Sequence, residues 1–180
     1  RTLSSTPGRW TQSVRATPQE RTRTLPGDEL VENPVGSLHH AITIRRARHE
    51  VWPWLAQMGA GSRAGWYSYD FLDNGRQPSA TRIIHELQQL AIGMIFPAGP
   101  GVTDGFTLLR FEPERFLVRG WTAPEGGHAM TWAFVLEETG PGSTRLLVRV
   151  RVRPGARIFG LPWWAASYLV SVIPPHAMSA

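Results

Sequence analysis

Two neighbouring stretches constrain the fold of this 180-residue chain more than any other. In the first, His128, Met130, Trp132, Phe134 and Leu136 alternate with Ala129, Thr131, Ala133 and Val135. In the second, Leu146, Val148, Val150 and Val152 alternate with Arg145, Arg149, Arg151 and Arg153. Period-two alternation is the mark of a β-strand with two unlike faces. Gly140-Pro141-Gly142 joins the two stretches tightly, so they are expected to be antiparallel neighbours. The register predicts valines inward and arginines outward in solvent. The large-residue face must then be covered.

The other elements are read around that pair. Arg1 to Ser37 contains four Pro with many Ser and Thr and no sustained period, and is expected to be an extended arm (residues 1–37) on a single domain (38–180). Pro26-Gly27-Asp28 predicts a turn with positive φ at Gly27, and Trp10, Leu25, Leu30 and Val31 are the arm's candidate anchors. A first strand is expected from His39, with His40, Ile42 and Ile44 on one side. Val51, Trp52, Leu55 and Met58 predict a helix ended by Gly59-Ala60-Gly61, with Pro53 in its first turn. Ile83, Ile84, Leu87 and Leu90 predict a second helix over 80–90 capped by Ser79. A short strand over 92–97 follows, then a hairpin of Phe106 to Glu112 and Phe116 to Trp121 around Pro113-Glu114-Arg115.

Composition excludes some chemistry. There is no Cys, so disulfides and thiolate sites are ruled out. His39 and His40 face opposite sides of a strand, and no His spacing suits a metal; neither a metal nor another cofactor is expected. Every basic residue is Arg, and the net charge is +5, yet the arginines form no basic run and nucleic acid is not expected as a partner. Ile158 to Pro175 is uncharged, but Pro162 and Pro174-Pro175 leave about 16 Å of uninterrupted helix, against a hydrocarbon core of roughly 30 Å. A helix lying on the sheet is predicted there; a membrane surface contact through Trp163 and Trp164 is the rival. Arg1 to Ala16 has no apolar signal core, a removed leader stays open because the sequence does not begin with Met, and a cytoplasmic location is expected. The oligomeric state is left open.

Gly65 to Asn74, GWYSYDFLDN, crowds rings and carboxylates together. It reads either as a pocket wall or as a short capped helix. Asp70 lies among rings, where desolvation would raise its pKa toward that of a general base; as a helix-terminal carboxylate it would only bond backbone amides. Tyr67 and His128 are the other acid-base candidates, His128 sharing a face with Trp132 and Phe134 or merely solvated at a strand end. Arg119 and Trp121 share a face, so Arg119 either offers a cation to a ligand oxygen or stands on the exposed side.

PGDEL at Pro26 to Leu30, AITI at Ala41 to Ile44, VWPWLAQMG at Val51 to Gly59, GWYSYDFLDN, and TWAFVLE at Thr131 to Glu137 followed by TRLLVRVR together resemble the bacterial SRPBCC family. This is the START and Bet v 1-like superfamily that includes polyketide cyclase-like proteins. The resemblance implies an α+β helix-grip fold, a curved antiparallel sheet around a long C-terminal helix with an apolar cavity between them. It implies binding of a small hydrophobic ligand, aromatic, polyketide-like or lipid-like, lined here by Trp54, Trp66, Tyr67, Phe71, Trp121, Met130, Trp132, Phe134 and Trp164. A cyclase or dehydratase using Asp70 or Tyr67 is the enzyme alternative. Contact with a membrane surface or a protein partner through the last helix is a third.

Overall fold

The structure, a computed structural model, describes residues 10–65, 78–158 and 161–162, with side chains over 15–65 and 78–156. Its centre is a seven-stranded sheet in the order β1-β2-β7-β6-β5-β4-β3. The strands are β1 (Trp10–Val14), β2 (Gly36–Ile44), β3 (Ile95–Pro97), β4 (Gly105–Glu112), β5 (Phe116–Thr122), β6 (His128–Gly140) and β7 (Ser143–Val152). Six of them form a curved antiparallel sheet, and β1 adds to its edge in parallel with β2. Register shifts at Leu108/Arg110, Trp121/Thr122 and Glu138/Gly140 are bulges, which bend strands and increase their twist. Among the described residues the α-helices are α1 (Pro18–Thr22) and α2 (Arg48–Gln57), which with the sheet make an α+β arrangement. The backbone of β8 (Arg157–Ile158) pairs with β9 (Leu161–Pro162). The predicted helix beyond them lies outside the described residues.

The paired alternation of β6 and β7 folds as its pattern dictates. Met130, Trp132, Phe134 and Leu136 stand opposite Val152, Val150, Val148 and Leu146, and Gly140 faces Ser143 across Pro141-Gly142. The β4/β5 hairpin likewise turns at Pro113-Glu114-Arg115, with Glu112 facing Phe116 and Glu114 at φ 62°. Trp132, Phe134, Phe106, Leu108, Leu117 and the β7 valines are all buried in one core against Val51, Leu55 and Met58, the last two from α2 and the residue after it.

The arginine face is not in solvent, which corrects the outward reading. The arm crosses it, and the side chain of Arg149 is 3% exposed. Its Nη1 donates to Oδ2 of Asp28 at 2.5 Å and to Arg23 O, its Nη2 donates to Glu20 O and Arg21 O, and its Nε donates to Nδ1 of His39 at 3.2 Å. Arg145 holds Glu20 bidentately at 2.8 and 3.0 Å, while Glu20 also closes the capping box of α1 with Thr17. Arg151 donates to Val31 O and Glu32 O. Alternation told the two faces of β7 apart but could not tell which was wet, because the cover comes from more than a hundred residues away. Leu25 completes a small second cluster with Ala41, Val135 and Leu147. Gly27 sits at φ 90° as the PGD turn requires, and a Cβ there would come within 2.6 Å of Val118 Cγ1.

Three further expectations are corrected. The strand predicted from His39 begins at Gly36. Pro53 is the sixth residue of α2 rather than part of its first turn. Residues 80–90 form no α-helix, only a 3₁₀ turn over His85–Leu87. The reason lies in Gln57, which is fully buried. Its Oε1 accepts from Ile84 N at 2.9 Å and its Nε2 donates to Arg82 O at 3.1 Å, so a side chain supplies the partners that a helix would have supplied.

Candidate functional site

The large-residue face of the sheet is a wall of rings. Cross-strand pairing brings Trp121 opposite Met130, Arg119 opposite Trp132 and Leu117 opposite Phe134. Phe106 of β4 meets Trp121 and Trp132 edge-on, with centroids 5.4 and 5.5 Å apart, and Trp132 tilts over Phe134 at 5.0 Å. Edge-to-face packing at these distances suits the ring quadrupoles and fixes their orientation. Of the expected lining, Trp121, Met130, Trp132 and Phe134 therefore come together, with Trp121 the most exposed at 8%. Trp54 is half-buried on α2. Trp66, Tyr67, Asp70, Phe71 and Trp164 lie outside the described residues.

Arg119 belongs to this wall, and the alternative that placed it on an exposed side is corrected: it is 0% exposed. Its Nη2 donates to Leu55 O at 3.2 Å and Met58 O at 3.1 Å, at the C-terminal end of α2, where carbonyls carry the negative end of the helix dipole. The guanidinium lies 3.7 Å from the centroid of Phe96, and that of Arg63 lies 4.4 Å from the same ring. Arg63 donates in turn to Ala56 O and Leu87 O. The two cations tie the end of α2 to β3 and β5.

His128 is not on the ring face. The bulge between Trp121 and Thr122 pairs Thr122 with His128, adding one residue to β6 ahead of Met130. A one-residue insertion exchanges the faces. Its Nδ1 lies 3.3 Å from where a Cβ on Gly120 would stand, and Gly120 alternates with Arg119 and Trp121, so His128 points with the arginine face. Nδ1 is buried there with no hydrogen-bond partner among the described residues.

A different histidine takes the place expected of His128. His40 aligns with Val148, which aligns with Phe134, which aligns with Leu117, so one row of the ring face runs through β2, β7, β6 and β5. Burial holds the His40 imidazole below its ordinary pKa. Its Nε2 is buried without a hydrogen-bond partner among the described residues. The alternation of β2 gave the side, but not that the atom would be orphaned. His39 faces the arginines, and burial beside Arg149 lowers its pKa to about 4.

No group of His, Asp and Glu among the described residues is arranged to hold a metal ion. No described helix is long and apolar enough to cross a membrane.

A mainly antiparallel sheet with one aromatic face and one arm-covered face, joined among the described residues to two short α-helices, defines an α+β protein. No protein-family model matches the chain, and no curated protein does. Among solved structures it is similar to CalU16 from Micromonospora echinospora, with 18% identity over 79% of this chain and 78% of that one and a TM-score of 0.39. It is also similar to the protein encoded by gene BPP1335 from Bordetella parapertussis, with 23% identity over 80% and 76% and a TM-score of 0.38.

Proposed function

We propose that this chain binds a small hydrophobic ligand, aromatic, polyketide-like or lipid-like, against the ring face of its sheet. The observation that carries the reading is the convergence of Phe106, Trp121, Trp132 and Phe134 on one face, with the centroids of the contacting rings 5.4, 5.5 and 5.0 Å apart. Ligand sites are lined by apolar and aromatic side chains with a few placed polar groups. Ring stacking gives an aromatic ligand both buried area and orientation. The motif resemblance supports the same kind of ligand. Naphthalene binding, followed by quenching of tryptophan fluorescence, tests it. The unmodified protein is expected to bind the probe, and Trp121→Ala is expected to weaken binding severalfold while the circular dichroism spectrum is retained. Absence of probe binding by the unmodified protein overturns the reading.

A further inference from the structure

We propose that His40 is the polar recognition point of the ring face, and that the ligand is a ring compound bearing a hydroxyl or carbonyl oxygen. This rests on the ring-face reading and adds the ligand's chemistry to it.

Three observations converge. His40 stands in the same cross-strand row as Leu117, Phe134 and Val148, and is that row's polar member. With strands about 4.8 Å apart, it lies two strands, or about 10 Å, from Phe134, within reach of a fused-ring ligand that covers both. Its Nε2 is shielded from solvent and unbonded among the described residues, whereas the neighbouring His39 uses its Nδ1 to accept from Arg149. Buried polar atoms in folded proteins are nearly always hydrogen-bonded, to protein or to something bound, so an orphaned one calls for a partner.

The chemistry of the ligand follows from the imidazole. Burial favours the neutral ring, in which one nitrogen donates and the other accepts. Nε2 therefore meets a hydroxyl in either tautomer and a carbonyl when it carries the proton. An ammonium group would gain little there, because the cross-strand partners of His40 are Val14 and Val148 and no carboxylate sets its pKa.

The test compares 2-naphthol with naphthalene, two probes of nearly the same shape, on the unmodified protein and on His40→Leu and His40→Gln. His40→Leu is expected to weaken 2-naphthol about three- to tenfold and to leave naphthalene unchanged, with His40→Gln retaining part of the naphthol affinity. Nitrogen-15 NMR of the unmodified protein provides a readout that does not depend on the variants folding: the His40 Nε2 resonance is expected to move with 2-naphthol and not with naphthalene. Equal effects of His40→Leu on both probes, or a resonance that ignores 2-naphthol, overturn the assignment of His40 and leave the ring face standing. If neither probe binds the unmodified protein, both fail together.

Discussion

The carboxylate of Asp28, carried by the N-terminal arm, lies 2.5 Å from the guanidinium of Arg149 in the middle of β7. Both side chains are largely buried, so removing one partner strands a charge out of water. Asp28→Ala is expected to destabilise the fold by about 3 kcal/mol in urea unfolding. Glu29→Ala, which removes an ion pair to Arg110 with both partners about half exposed, is expected to cost less than about 1 kcal/mol. Similar losses from the two variants would refute the clamp.

Acid should loosen the arm's hold on β2 and β7 in two steps. His39 titrates near 4 when folded and near 6.5 when unfolded, so the unfolded chain binds more protons between those values. Stability is therefore expected to fall as pH drops from about 6.5 to 4. Glu20 is held at about 2 by its hydrogen bonds to Arg145, and its contribution, complete above 4.5, is lost below that value. Urea midpoints measured from pH 7 to 3 check both: His39→Gln should flatten the upper window and Glu20→Gln the lower one.

Gly27→Ala combines a left-handed backbone with a Cβ 2.6 Å from Val118 Cγ1. A loss of about 2 kcal/mol is expected. Adding Val118→Ala relieves the contact but not the φ of 90°, so the double variant should lose less than the sum of the two single losses. Strict additivity in thermal unfolding would contradict this arrangement.

Gln57→Leu deprives Ile84 N and Arg82 O of their partners in a partly buried setting. The expected loss is about 1–2 kcal/mol, and the Ile84 amide should exchange with deuterium much faster than in the parent protein. An unchanged exchange rate at Ile84 would mean that the segment is held by other contacts.

How much of this was legible in the sequence depends on the range of each cause. The β6/β7 and β4/β5 hairpins were legible because alternation and turn residues are local, and the four ring-face residues Trp121, Met130, Trp132 and Phe134 came with them. The side chain of Gln57 acts across 25 and 27 residues, so the apolar spacing of Ile83, Ile84, Leu87 and Leu90 looked helical although the backbone was already satisfied elsewhere. The alternation puts His128 on the ring side and the structure on the other, because a single bulge residue leaves no mark in the alternation beyond it. Ala41 and Leu147, set among polar neighbours, were the trace of a second cluster, but only the arm made it one.

The order in which the chain leaves the ribosome gives the arm an unusual history. Asp28 emerges 121 residues before Arg149. At roughly 5–20 residues per second that interval is about 6–24 s. Throughout it, the acidic residues of the arm have no arginine row to bind, because β7 has not been made. The arm is thus made well before the arginine row that holds it, and a nascent chain stalled before Arg149 should present that arm to protease.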